Sequence, residues 1–233
     1  MKSQYVLPIT IVVAGVLIAG AVFWVGKNST ANPNGGGTVA ARDYDASVDH
    51  ILGNPAAPVK VIEYMDLECP HCKIFNTTMH QVMDFYGAKG QVAWVQRAFP
   101  LGQIHSKAPE EAQAAECAAA QGGDTAYFKY TDRVFEVTPG DNGLDLAQLP
   151  AIAQEQGLDV AKFNTCLSSG QFAKKVQDSY TEAIKAGGQG TPYILILLNG
   201  QLVPGGNLSG AQPYDSMRAA IDAVLATLPP ATQ

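Results

Sequence analysis

The sequence predicts an α/β domain with a helical insertion, and three observations carry that reading. A β-rich run, VKVIEY at Val59–Tyr64, leads into a helix opened by Pro70, and QVAWVQRAF at Gln91–Phe99 returns as strand. From about Ser106 to Gly187 only helical patterns follow, broken by Gly-rich or Pro-bearing stretches. The β signal then reappears in TPYILILLNGQLVPGG, ahead of a closing amphipathic helix at about Pro213–Leu228. The order is βαβ, helical block, ββα.

Each element has a local cause. Pro70 is suited to the first helical position, where its missing N–H costs nothing, which makes Cys69 the N-cap. Ile74, Phe75, Val82, Met83 and Tyr86 supply that helix with an apolar face, and Gly87 stops it. The block reads as four or five helices: PEEAQAAECAAAQ, AYFKYTDRVFEV, LAQLPAIAQEQ, VAKFNTCLSS and QFAKKVQDSYTEAIKA. YILILLNG and QLV, divided at Asn199-Gly200, read as a hairpin. No internal repeat is present.

Composition narrows the function. The chain has 233 residues, is 47% hydrophobic and carries a formal charge of −6. That balance lacks the basic face a nucleic-acid binder needs. Neither GxGxxG nor GxxxxGK[ST] occurs, so no nucleotide site is expected.

Tyr5–Val25 contains no charge, and its 21 residues reach roughly 30 Å as a helix, about the hydrocarbon thickness of a bilayer. Tyr5 and Trp24 stand near its ends, where amphipathic rings settle. The rival is a cleaved signal peptide, but the run is long and its exit, FWVGKNST, lacks an A-x-A site. Residues 1–27 are therefore expected to be a transmembrane anchor with the N-terminus cytoplasmic. Residues 28–42 form a polar Gly/Asn-rich linker, and 43–233 the folded domain, with its helical insertion at about 105–187. Lys2 and Lys27 give little charge asymmetry for orientation, but either way the folded part is expected outside the cytoplasm, where disulfides persist.

LECPHCKIF holds Cys69 and Cys72 with Pro70 and His71 between them. Such a pair can clamp a metal, sit inert, or exchange electrons. Structural zinc usually takes four ligands in short-spaced sets, and Cys117, Cys166, His50, His80 and His105 lack that spacing, so no metal is expected. An inert pair has no need of a helix mouth. There Cys69 faces unpaired N–H groups and the positive end of the helix dipole, which favour thiolate, and His71 is expected to add positive charge. A stabilised thiolate favours the reduced form and makes the disulfide the stronger oxidant.

IEYMDLECPHC followed by GTPYILILLNG resembles the DsbA-like thiol–disulfide oxidoreductases, from about His50 to the end of the chain. The resemblance implies a thioredoxin fold with an inserted helical subdomain. It implies Cys69 as the exposed attacking cysteine, Cys72 as the buried resolving one, and a cis Thr191–Pro192 bond beside them for docking extended substrate. Glu63 resembles the buried acid beneath the dithiol of the wider superfamily, able to take the resolving thiol's proton; an edge-strand glutamate in water is the alternative. Asp66 and Glu68 read as solvated loop acids. Gly188 stands where many relatives have Val, so substrate contacts near Pro192 are expected to differ. Cys117 and Cys166, on separate helices, are expected to form a structural disulfide, two free buried thiols being the alternative.

The expected function is oxidation of exported, reduced proteins, with no cofactor and with reoxidation by a membrane partner of the DsbB or VKOR type. A disulfide isomerase or reductase is the alternative, since Thr before the cis-proline occurs in isomerases too. Known periplasmic isomerases dimerise through an extra folded N-terminal domain, for which the stretch KNSTANPNGGGTVAARD is too short. A tethered, non-enzymatic binding module is the third class, disfavoured by the intact CPHC.

Overall fold

The computed structural model describes residues 42–229. The expected anchor, residues 1–27, and the linker up to residue 41 lie outside the described residues. Among those described, no helix is long and apolar enough to cross a membrane.

Strands β1 (His50–Gly53), β2 (Val59–Met65), β3 (Val92–Ala98), β4 (Tyr193–Leu198) and β5 (Gln201–Ser209) form one sheet in the order β1-β3-β2-β4-β5. Only β2 and β3 run parallel. Helix α1 (Pro70–Phe85) connects them, as a parallel crossover requires. Between β3 and β4 lie α2 (Ala108–Val137), α3 (Leu149–Glu155), α4 (Val160–Ser169) and α5 (Ala173–Lys185); α6 (Tyr214–Leu225) ends the fold. α2 joins the first two expected helices across a kink at Gly122 and Gly123.

The sequence reading missed β1. Its four residues pair antiparallel with β3, a partner more than forty positions away, and so short a run carries no alternation of its own. The hairpin's second strand extends to Ser209, well past QLV. Ile74 is a further correction: it is 58% exposed, one 100° step off the buried stripe of Phe75, Met79, Val82 and Tyr86.

Alternation along the central strands sorts the core into two layers. Val59, Val61 and Met65, with Trp94, Ile194 and Ile196, pack under α1 and α6, against Phe75, Met79, Met217 and Ile221. Ile62, Tyr64, Val95 and Leu195 face the other way, toward Ala183 and Ala186 at the end of α5. Glu63, between Val61 and Met65 in that period, therefore shares the face covered by α1. α5 is tied to the sheet by Glu182 at 2.8 Å from Arg97, whose guanidinium also meets Asp49 at 2.8 Å. Cys117 of α2 and Cys166 of α4 are joined as a disulfide, their Cα atoms 5.8 Å apart.

Candidate active site

β2 ends at Met65, and the next residues turn into α1. Cys69 is the N-cap, with extended backbone (φ −79°, ψ 119°), and Pro70 opens the helix. Cys72, one turn on, is fully buried; both cysteines are present as free thiols. Cys69 retains 6% exposure, where Cys72 has none.

The surroundings split the two thiols. The neighbouring Cys72 thiol is the largest influence on Cys69 and lowers it, burial opposes that, and the balance takes the thiol down to about 5. Burial pushes Cys72 well up, and its bond to Cys69 adds to this. One sulfur is thus built to ionise and the other to hold its proton. The His71 side chain, between them, is exposed.

Opposite the dithiol, the Thr191–Pro192 peptide is cis. The Cys69 thiol donates to the Thr191 carbonyl at 3.4 Å. The Thr191 hydroxyl oxygen is buried without a partner among the described residues. Pro192 is buried and its carbonyl accepts from Gly210 N–H, which holds the loop to the end of β5. Gly188 belongs to packing: a Cβ there would meet the Ala183 carbonyl at 3.0 Å and the Phe99 ring at 3.1 Å.

Glu63 is fully buried, on a strand flanked on both sides, which excludes the edge-strand alternative. Its Oε2 accepts from Trp94 Nε1 at 2.9 Å and from Gln96 Nε2 at 3.5 Å, while Oε1 has no partner among the described residues. Burial raises the carboxyl to about 8 despite those two donors, with the Cys69 and Asp132 charges adding to the rise. It can therefore hold or release a proton near neutral pH, and its charge is felt at Cys72.

Asp66 and Glu68 are 1% and 0% exposed, the reverse of the solvated acids expected from sequence. Asp66 closes a local turn, its Oδ1 accepting from Glu68 N–H at 2.8 Å. Glu68 reaches inward to Gly143 N–H at 3.1 Å and Leu144 N–H at 3.3 Å. Beside them Glu111 of α2 is fully buried, neither of its carboxyl oxygens has a hydrogen-bond partner among the described residues, and burial first, then the neighbouring Glu68 carboxylate, raises it to about 9. Gly140, at φ +80°, lets the loop before Gly143 lie on Pro70, where a Cβ would come within 3.1 Å of the proline ring. Local signals for this arrangement were slight: DLE before CP marks a turn and says nothing of partners seventy-odd residues away.

His105, which has no ligand spacing in the sequence, is brought to the same turn, with Nδ1 2.9 Å from Asp66 Oδ2. Among the described residues no group of three or more His, Cys, Asp or Glu side chains is placed to hold a metal ion.

A family model described as thioredoxin matches residues 45–223. The chain belongs to the thioredoxin family. Within that family its fold is similar to Wolbachia pipientis alpha-DsbA1, at 26% identity and TM-score 0.67 over 76% of this chain and 91% of that one. Pseudomonas aeruginosa DsbA2 is similar at 27% identity and TM-score 0.63, over 83% and 99%. BdbD from Bacillus subtilis shares the fold at 22% identity and TM-score 0.68, over 82% and 100%. Among curated sequences, the Na(+)/H(+) antiporter NhaA 1 of Mycolicibacterium gilvum is 27% identical over 190 residues, covering 79% of this chain. The chain spans only 20–30% of the length of the curated relatives it matches, and the antiporter name belongs to those longer proteins. The chain thus shares its fold with structures named for DsbA, and it carries its own paired thiols at the mouth of α1.

Proposed function

We propose that the chain is an extracytoplasmic oxidase that passes a Cys69–Cys72 disulfide to exported, reduced proteins. The observation that carries this is the depressed Cys69 thiol, at about 5. A thiolate stabilised in the reduced form raises the oxidising power of the disulfide and makes Cys69 a good leaving group. The Cys117–Cys166 disulfide and the uncharged Tyr5–Val25 run support an anchored domain in an oxidising compartment.

A client thiolate attacks Cys69 Sγ, the Cys69–Cys72 bond breaks, and Cys72 leaves with the electron pair and takes a proton from Glu63. The client's second thiolate then attacks its own sulfur in the mixed disulfide. Cys69 departs as thiolate, so the client loses two electrons and the dithiol holds them. Pro192 and Thr191 would dock the extended client segment through backbone groups. The dithiol is reoxidised by a quinone-linked membrane partner of the DsbB or VKOR type, which an anchor at residues 1–27 would keep at high local concentration.

The deciding measurement is the reduction potential of the full chain equilibrated against glutathione, with Cys69→Ser as control. A value near about −120 mV supports the oxidase. A thioredoxin-like value near about −270 mV would reverse its direction, to reductase or isomerase.

Glu63→Gln tests the proton donor. Mixed-disulfide formation between the disulfide form and a dithiol peptide is expected to slow about 10²-fold. Per client thiolate, the wild-type rate should fall as pH rises through the raised Glu63 value, which in the disulfide form lies below the dithiol's value of about 8 because the Cys69 charge is absent. The variant should lack that fall. An unchanged rate and profile would remove Glu63 from the reaction.

A further inference from the structure

Asp66 is bonded to both members of the dithiol. Its N–H donates to Cys72 Sγ at 3.4 Å and its carbonyl accepts from Cys69 N–H at 3.1 Å. Its side chain is 1% exposed, and Oδ2 takes Leu101 N–H at 2.7 Å together with the His105 ring nitrogen at 2.9 Å. One carboxylate thus fastens the redox turn to the loop that precedes the helical block. A negative charge held there opposes ionisation of the neighbouring Cys69 unless a cation answers it.

The surrounding elements offer few cations. Lys107 Nζ donates to the Leu144 carbonyl and Lys73 Nζ to the Thr138 carbonyl, and the His71 side chain is exposed. On the acidic side, Glu68 is bonded to the Gly143 and Leu144 amides, Glu111 is neutral, and the exposed Asp141 lies 3.6 Å from His105 Nε2. Among the described residues His105 is the only cationic side chain within ion-pair distance of Asp66.

We propose that His105 is a positioning residue for the exchange chemistry: as an imidazolium paired with Asp66, it cancels the carboxylate charge at the redox turn and allows Cys69 to ionise there. No proton passes between His105 and Cys69, whose own proton goes to solvent. Burial draws the imidazole down, but the bond and charge of Asp66 outweigh it, and the Cys69 and Asp141 charges add to the rise. The proposal rests on Cys69–Cys72 exchange and is indifferent to its direction, so a reductase-like potential would leave it standing.

Linkage makes the idea testable in the unaltered protein. If the imidazolium stabilises the thiolate, the thiolate stabilises the imidazolium equally. In NMR titrations of the full chain, the His105 resonance, assigned by its loss in His105→Gln, should titrate at least about half a pH unit higher in the dithiol form than in the disulfide form. Equal midpoints in the two forms would overturn the proposal. In His105→Gln itself, the ultraviolet absorbance of the Cys69 thiolate should titrate roughly one pH unit higher. Adding Asp66→Asn should bring that midpoint back down, which simple damage to the fold would not do. An unmoved midpoint in the single variant, or no return in the double, would also overturn it. Should His105→Gln fail to fold, the wild-type comparison decides, with the resonance assigned through its contacts to Leu101.

Discussion

Cys69→Ser abolishes exchange, reducing turnover of a dithiol peptide to the uncatalysed background, while Cys72→Ser stops the protein at a persistent mixed disulfide. The asymmetry follows from geometry: Cys69, at the helix mouth, keeps some exposure and Cys72 is fully enclosed. It also follows from ionisation, since thiolate and not thiol is the nucleophile and the better leaving group. In the dithiol protein, thiolate absorbance should appear with a midpoint near 5 and be absent from Cys69→Ser. The sign for stability is that of a depressed acid. Its contribution to the folded dithiol form is complete above the unfolded thiol value of about 8.5 and is lost as pH falls through about 5. Burial of Cys72 acts oppositely, but with a value well above the ordinary thiol range it bears on the alkaline side. Mass spectrometry after a single addition of substrate checks the first claim. A trapped adduct on Cys72 in Cys69→Ser, equal in yield to that on Cys69 in Cys72→Ser, would invert the assignment.

The second large effect is on stability. Cys117 and Cys166 are 49 residues apart, and closing a loop of that length lowers unfolded-state entropy by an amount worth about 4 kcal/mol. Cys117→Ala with Cys166→Ala is therefore expected to lose roughly that much in denaturant unfolding. For a folded part of this size the melting temperature should drop by about 8–16 °C. The bond ties α2 to α4 within the helical block and does not touch the redox turn. Folded protein lacking it should keep its exchange rate. A loss below about 1 kcal/mol would mean that packing of Phe163, Tyr130 and Leu149 already holds these helices together without the cross-link.

The chemistry was legible because its signals are local. Cys69, Pro70 and Cys72 fall within one helical turn, and the strand before them and the Pro at the helix start announce themselves within ten residues. Thr191–Pro192 stands immediately before an apolar strand, but its cis bond was expected from the family resemblance and not from that spacing. Glu63 was half legible: its flanks, Ile62 and Tyr64, suggested burial, but whether its strand was central or at the edge depended on β4, which lies 130 residues further on.

The acids and histidine around the dithiol were not legible. Asp66 and Glu68 read as solvated because a charged side chain in a turn ordinarily is. They are buried because the folded chain brings the Leu101, Gly143 and Leu144 amides and the His105 ring to them, across 35 to 76 positions. Ile74 failed in the opposite sense, an apolar residue left outside because the helix has only one face toward the sheet.

The sequence by itself determined the redox pair, its place at a helix mouth, and the order of the elements from β2 onward, since each is written in spacing, capping and periodicity over a few residues. Only the tertiary structure decided which carboxyls are buried and keep their protons, and which histidine answers Asp66. Those properties are set by burial and by hydrogen-bond partners, and neither exists until distant segments pack together.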